Sequence, residues 1–218
     1  MAMMKKIILP IILLVQFFGC VDIPTEGVTP PNYKVPIRFV NAYGSDVTIV
    51  IDNSTTYNIS AMGSIDYNLV NAGSRTIDLY VNGDTIREVK ALTVNEKGTM
   101  FIHSPNSEGR YFTFNKERNT YTLSLNDSLP QVRFINATDT TQLSVADTSS
   151  NIFSNKSFVT SSVVDYELMS STYQENLYLK SGNTFVDTVL VNFQARKNYT
   201  LVSVKNGTAT KLLQLTDD

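Results

Sequence analysis

The hexapeptide Ile37-Arg38-Phe39-Val40-Asn41-Ala42 decides the fold, because it returns almost unchanged as Val132-Arg133-Phe134-Ile135-Asn136-Ala137. Two copies in a chain of 218 residues predict two domains, since a typical domain has about 100 to 150 residues. We expect the motif to mark where each domain begins. Its Phe is expected to fill a core and its Asn to turn the chain.

From residue 36 onward, apolar and polar side chains alternate with the period of a half-buried strand. The clearest runs are Val47–Ile51, Ile77–Val81 and Leu123–Asn126. Residues that favour turns separate them, and Asn82-Gly83 is the strongest hairpin signal. After residue 19, no segment has apolar residues at the 3.6-residue spacing of a helix over the length of one. The pattern predicts an all-β protein whose antiparallel sheets pack face to face as β-sandwiches.

Further segments of the first half recur in the second. The matches are Asp66–Leu69 with Asp165–Leu168, Leu79–Val81 with Leu177–Leu179, Met100–Ile102 with Tyr199–Leu201, and Leu123–Asp127 with Leu213–Asp217. They predict a first module over residues 36–128 and a second over 129–218. The joint at Ser128-Leu129-Pro130 is short, so we expect the two modules to stack semi-rigidly.

Composition excludes several classes of function. Net charge is −2, whereas a nucleic-acid-binding protein needs a concentrated basic face. With one His and one Cys, the chain lacks the ligands of an ordinary zinc site and cannot form an internal disulfide. No Asp-x-Asp-x-Asp-Gly run suggests calcium. We therefore expect no metal and no cofactor.

Residues 1–19 are typical of an export signal peptide. Lys5 and Lys6 precede the apolar run Ile7–Phe18, which is too short to cross a bilayer, since a spanning helix needs about 20 apolar residues. The run ends in Phe17-Phe18-Gly19-Cys20, which resembles the lipobox of bacterial lipoproteins. The sequence therefore predicts that Cys20 is lipidated and anchors the protein to the outer membrane of a Gram-negative cell, facing the periplasm or the exterior.

Residues 20–35 contain Pro24, Pro30 and Pro31 and show no periodicity. Such a composition is typical of an extended, partly polyproline segment. We interpret this stretch as a flexible tether that follows the lipidated Cys20 and holds the first module away from the bilayer.

Taken together, several motifs resemble the bacterial cell-surface family named domain of unknown function 4397. They are Arg-Phe-[Val/Ile]-Asn-Ala at the start of a module, Gly63–Tyr67, Ala72-Gly73, Gly98 before an aromatic strand, and Lys211–Asp218. The resemblance covers residues 36–218 in two copies. The second copy departs from it with Ser170-Ser171 in place of Ala72-Gly73. The resemblance implies Ig-like sandwiches at a cell surface and supplies no catalytic residues.

Few residues are candidates for chemistry. His103 lies near the predicted end of a strand without the partners of a triad, and we interpret it as a loop-edge histidine with no role. Asp66 and Asp165 recur once per module, whereas a glycosidase needs two facing carboxylates. We expect them to be structural and hypothesise pairing with Arg38 or Arg133. The sequence thus predicts no catalytic site.

Four tripeptides resemble the Asp-[Ser/Thr]-apolar acceptor of bacterial O-glycosylation. Their acceptor residues are Thr85, Ser128, Thr140 and Thr188. The motif is short, and chance occurrence in a Ser- and Thr-rich strand protein is the alternative.

The sequence is best interpreted as a non-catalytic cell-envelope lipoprotein that presents two modules for binding, adhesion or structural assembly. Loops around residues 136–162 and 180–187 are the expected contact surface for an unknown protein or glycan partner. Tyr80 and Tyr178 are candidates for stacking on a ligand, with cross-strand packing as the alternative. The alternative functions are an accessory subunit of a polysaccharide-uptake or fimbrial assembly and a polysaccharide-acting enzyme.

Overall fold

A computed structural model describes residues 32–105, 109–117, 129–138, 142–158, 166–169, 173–206 and 209–217. The expected signal peptide, the lipidated Cys20 and most of the tether lie outside these residues. The described chain is all-β, which confirms the predicted fold class. Residues Tyr33–Asp218 form one compact unit. None of the described segments is a helix with the length and apolar character needed to cross a bilayer.

The described residues of the N-terminal half form eight strands. They are β1 (Lys34–Asn41), β2 (Val47–Ile51), β3 (Thr55–Ile59), β4 (Ser64–Asn71), β5 (Gly73–Val81), β6 (Asp84–Leu92), β7 (Gly98–Ile102) and β8 (Phe112–Lys116). One sheet has the order β4-β1-β7-β8, and the other has the order β3-β2-β5-β6. All pairs are antiparallel except β1 with β7, which run parallel.

The C-terminal half repeats this plan. Its strands are β9 (Gln131–Asn136), β10 (Leu143–Ala146), β11 (Asn151–Lys156), β12 (Glu167–Leu168), β13 (Tyr173–Ser181), β14 (Thr184–Phe193), β15 (Asn198–Asn206) and β16 (Ala209–Thr216). The sheet orders are β12-β9-β15-β16 and β11-β10-β13-β14, and β9 pairs with β15 in parallel. The duplicated motif therefore forms the same inner strand, β1 or β9, in each half.

Each half has its own apolar core between its two sheets. In the first, Phe39 from β1 packs with Ile49, Ile77 and Met100, which belong to three other strands. In the second, Phe134 takes the place of Phe39, as predicted. The inner strands β7 and β9 are buried at every position, whereas β6, at the margin of its sheet, alternates between exposed and partly buried residues.

A third apolar cluster joins the two halves. It contains Val40, Ala42 and Phe101 from the first half and Ile135, Ala137, Val202 and Val204 from the second. On β1, Phe39 enters the core of its own half, while Val40 faces away from that core and belongs to this shared cluster. Successive side chains of a strand point to opposite faces, so β1 contributes side chains both to the core of its own half and to the cluster shared by the two halves.

The ladders correct two of the predicted matches. Phe39 pairs with Met100 and Phe134 with Leu201, so Met100 corresponds to Leu201 and not to Tyr199. In the first half β8 pairs with β7, and in the second half β16 pairs with β15, so β8 is the counterpart of β16. The counterpart of Leu213–Asp217 is therefore the end of β8 with Glu117, and Leu123–Asp127 lies outside the described residues. The Asn82-Gly83 hairpin is confirmed, with φ values of 51° and 89°.

Candidate functional site

A cluster of ionisable groups lies buried between the two halves. Arg38 and Arg133 occupy the same place in the duplicated motif, and their exposed fractions are 2% and 0%. Each sits beside a Thr of the neighbouring parallel strand, because Arg38 pairs with Thr99 and Arg133 with Thr200 in the ladders. A buried guanidinium is costly unless its charge and its donors are matched. Its partners therefore decide whether this cluster is a site or a structural contact.

Arg38 binds groups from both halves. Within its own half, Nε and Nη2 donate to Thr99 Oγ1 at 3.1 and 2.9 Å. Across the contact, Nη1 donates to the carbonyl oxygen of Thr216 at 2.8 Å, and Nη2 forms a hydrogen-bonded ion pair with Asp217. Nη2 also lies 3.3 Å from Oε1 of Glu117. All three nitrogens of this guanidinium are thus engaged.

Arg133 mirrors part of this pattern. Its Nε donates to Thr200 Oγ1 at 2.8 Å, and its Nη1 donates to the carbonyl oxygen of Lys116, in the other half, at 2.9 Å. Within the described part of the chain its Nη2 has no hydrogen-bond partner, and it lies 3.7 Å from Glu117 and 3.8 Å from Asp217. The arginine of each half therefore contacts the other half, in an approximately twofold arrangement. Arg38 makes the tighter ion pair.

The two carboxylates hold equivalent positions. Glu117 directly follows β8 and Asp217 directly follows β16. A Thr hydroxyl donates to each at 2.5 Å, from Thr99 and from Thr200. A Tyr hydroxyl also donates to each, since Tyr67 binds Glu117 and Tyr166 binds Asp217 Oδ2.

The same tyrosines stack on the arginines. The guanidinium carbon of Arg38 lies 5.0 Å from the ring centre of Tyr67, and that of Arg133 lies 4.8 Å from Tyr166. Each half thus supplies one arginine, one threonine, one tyrosine and one carboxylate. We name these eight residues the junction cluster: Arg38, Tyr67, Thr99, Glu117, Arg133, Tyr166, Thr200 and Asp217.

Burial dominates the electrostatics of the junction cluster. It raises the pKa of Glu117, and the nearby negative charge of Asp217 adds to the effect. Burial together with the carboxylates also raises the pKa of both tyrosines, so they remain neutral donors. Burial opposes the charged form of Arg38, but Asp217, Tyr67 and Glu117 outweigh it and raise its pKa. The carboxyl side chains of Glu117 and Asp217 are 0% and 1% exposed and both lie beside Arg38, so these ion pairs are closed to solvent.

Two sequence predictions are wrong here. Asp66 is exposed and does not pair with Arg38, whose acidic partners are Glu117 and Asp217. Asp165 lies outside the described residues. His103 is fully buried and is not a loop-edge residue: Nε2 is 2.8 Å from Thr113 Oγ1, and the ring meets the edge of Phe158, from the other half, at 4.8 Å. Its burial lowers its pKa.

The predicted surface sites divide between described and undescribed residues. Thr85 on β6 and Thr188 on β14 are exposed, whereas Ser128 and Thr140 lie outside the described residues. At the start of the predicted contact loop 136–162, Asn136 and Thr138 are buried. The hairpin within 180–187 is exposed and carries Phe185, which is 63% exposed.

A small surface cavity of about 130 Å³ lies where β3 and β4 border the first core. Its lining is mostly polar and includes Lys34, Asp52, Tyr57 and Asn71. Binding sites for small organic ligands usually enclose about 300 Å³ or more, so this cavity is too small for one.

Among the described residues, no three His, Cys, Asp or Glu side chains come together as metal ligands would. The chain matches no protein-family model and no curated protein.

Proposed function

We propose that this protein is a non-catalytic cell-envelope lipoprotein, anchored in the outer membrane through Cys20, that presents its two β-sandwiches for binding, adhesion or structural assembly. The anchor rests on the signal-peptide pattern and on Phe17-Phe18-Gly19-Cys20. The resemblance to domain of unknown function 4397 supports the same location. The partner is a glycan or a protein.

The observation that carries this proposal is where the protein places its ionisable groups. Glu117, Tyr67 and Tyr166 all have raised pKa values and belong to the junction cluster, in which Arg38 and Arg133 bind groups of the opposite half. Perturbed pKa values often mark catalytic residues, but only where a substrate can reach them. Here they stabilise the contact between two sandwiches, which favours presentation over catalysis.

A rigid contact suits a presenting protein, because a ligand that spans two fixed modules loses less entropy than one that must order them. The apolar cluster around Phe101 and Ile135 and the two arginines belong to the sheets β4-β1-β7-β8 and β12-β9-β15-β16. The other sheet of each half, β3-β2-β5-β6 or β11-β10-β13-β14, carries neither, and we name these two the outer sheets. Those outer sheets are the surfaces on which we expect a partner to bind.

Membrane fractionation of cells that make the wild-type chain or Cys20→Ala tests the anchor. We expect the wild type in the outer membrane and the variant in soluble fractions. A variant that remained membrane-bound would refute lipidation at Cys20. Cross-linking on intact cells, followed by recovery of the wild-type chain, then tests presentation, and failure to recover any protein or glycan would contradict it.

A further inference from the structure

The hairpin β13–β14 differs from its counterpart β5–β6. The ladder of β5 with β6 is continuous, whereas that of β13 with β14 shifts register, because Leu179 pairs with Asp187 and Lys180 with Phe185. Val186 is the extra residue of this β-bulge. A bulge can redirect a side chain, and here two consecutive apolar residues, Phe185 and Val186, are 63% and 36% exposed.

Phe185 is fixed by its neighbours on the outer face of the sheet. The ring of Tyr178 meets it edge-on, with ring centres 5.4 Å apart and planes at 65°. Lys180 Nζ lies 5.1 Å from the centre of the Phe185 ring. These contacts hold an exposed aromatic ring in place, which lowers the entropy lost when a ligand binds it.

Polar and apolar side chains continue along the same face. Thr188 lies opposite Tyr178, Leu190 opposite Asn176, and Asn192 opposite Gln174. Leu190 is 59% exposed, and the amides of Asn176 and Gln174 belong to exposed residues. From Lys180 to Asn176 the strand advances about 13 Å, given a rise of about 3.3 Å per residue. The face therefore offers flat apolar spots separated by hydrogen-bonding groups over the length of a short oligosaccharide.

We propose that this outer face of β13–β14 binds neutral oligosaccharides of pyranose units, which stack on Phe185 and donate to and accept from Asn176, Gln174 and Thr188. The inference rests on the proposed function and names the class of its ligand. A pyranose ring has an apolar face of C–H groups and a rim of hydroxyls. That alternation matches a fixed aromatic ring surrounded by amides and hydroxyls.

Strand addition by a peptide or a second copy fits less well, because β16 already contacts the free edge of β14. The backbone N–H of Leu212 donates to Asp187 Oδ2 at 2.8 Å, and that of Asn192 donates to Gln214 Oε1 at 3.3 Å. Together with the bulge at Val186, these contacts interrupt the edge that an added strand would need.

Charge and apolar area argue against other partners. A nucleic acid or an anionic membrane needs several basic residues together, whereas Lys180 is the basic residue among those that form this face. A protein interface usually has a contiguous apolar centre with a polar rim, but here Thr188 separates Phe185 from Leu190 along β14.

The proposal is tested by a titration of the full chain, purified from membranes in detergent. The ligands are maltohexaose, cellohexaose, xylohexaose and mannohexaose. Calorimetry and saturation-transfer NMR should show saturable, millimolar binding of at least one of them. Phe185→Ala should weaken that binding at least about fivefold, the effect of losing roughly 1 kcal/mol of aromatic contact. Phe185→Tyr should bind like the wild type.

The matched control is Tyr33→Ala, which removes an exposed aromatic that precedes β1 and lies outside the outer sheets. It should bind like the wild type. Absence of binding to all four sugars, or equal losses in Phe185→Ala and Tyr33→Ala, would overturn the proposal. Neither result affects the anchor and presentation tests, which are read from fractionation and cross-linking, so failure of the ligand class and failure of the proposed function are distinguishable.

Discussion

Arg38 in β1 donates from Nη1 to the carbonyl oxygen of Thr216 in β16 at 2.8 Å, although 178 positions separate the two residues in sequence. Arg133 returns the contact by donating to the carbonyl oxygen of Lys116 in β8. The arginine of each duplicated motif thus contacts the C-terminal end of the last strand in the other half, β16 for Arg38 and β8 for Arg133. The motif that begins each sandwich also joins it to the next.

Replacement of Arg38 by Met should destabilise the protein strongly. The change leaves Asp217 and Glu117 buried without their nearest cation, and breaking a buried pair in this way typically costs about 3 to 5 kcal/mol. Denaturant unfolding followed by circular dichroism measures the loss. An unchanged unfolding midpoint would show that the ion pair contributes nothing to the contact.

Arg133→Met should cost less than Arg38→Met and serves as its matched comparison. Among the described carboxylates, the oxygens nearest to Arg133 Nη2 are 3.7 and 3.8 Å away, too far for a hydrogen-bonded ion pair. Its loss removes two hydrogen bonds from buried donors, worth about 2 to 3 kcal/mol together. The prediction is contradicted if Arg133→Met is the more destabilised variant under the same conditions.

Gly98 should not tolerate a side chain, because of close packing and not because of its backbone conformation. A Cβ there would lie 2.5 Å from the carbonyl oxygen of Asn115 and 2.6 Å from Cζ of Phe114. Forcing atoms into a packed core usually costs about 1 to 3 kcal/mol, and contact with backbone favours the upper end. The free energy of unfolding of Gly98→Ala should fall accordingly.

Gly83→Ala is the control for that variant. No atom of the residues that the structure describes lies within 4 Å of the Cβ position of Gly83, but its φ of +89° strains any L side chain. We expect a loss of about 1 kcal/mol from this strain alone. If both glycine variants lost the same stability, the crowding at Gly98 would not be the cause.

Asn41→Ala should destabilise the turn after β1 and so lower the free energy of unfolding. The Asn41 amide donates to the carbonyl oxygens of Ser45, Ile59 and Ser60 at 2.7, 3.1 and 3.1 Å. Loss of a side chain that satisfies several buried groups costs roughly 3 kcal/mol. Asn58→Ala, which removes an exposed hydrogen bond to Thr48, should change stability by less than about 0.5 kcal/mol. Thermal unfolding of the two variants side by side checks the difference.

Local patterns predicted the strands, the sandwich class and the roles of Phe39 and Asn41, because alternation and turn chemistry depend on neighbouring residues. The junction cluster could not be predicted in that way. Glu117 and Asp217 pair with arginines far along the chain, and the ends of β8 and β16 are equivalent through ladder register, not through sequence similarity. Because Leu123–Asp127 is the segment that resembles the C-terminus in sequence, sequence similarity does not reveal the role of Glu117.

The outer face of β13–β14 was only partly predictable. Tyr178 and the segment 180–187 were candidates from the sequence, but the exposure of Phe185 depends on a bulge that period-two patterning does not reveal. The burial of His103 is not predictable from its sequence neighbours for a related reason. Burial of the residue after β7 arises from the second half, where Phe158 contacts its ring.

His103 should make the protein less stable as the pH falls below neutrality. Burial lowers its pKa below the unfolded value of about 6.5, so the unfolded chain takes up a proton before the folded one does. The stabilising contribution of neutral His103 is therefore complete above about pH 6.5 and is lost as the pH falls through the folded pKa, by at most about 1.4 kcal/mol per pH unit.

His103→Gln, unfolded in denaturant at several values between pH 7.5 and 5, isolates this contribution. Glu117, whose pKa is raised, acts in the opposite sense: its protonation stabilises the fold as the pH falls, but it is present in both proteins and cancels in their difference. The free energy of unfolding of the wild type should therefore fall relative to that of the variant as the pH is lowered. A difference that stayed constant, or grew in favour of the wild type, would mean that buried His103 takes up its proton as readily as it does in the unfolded chain.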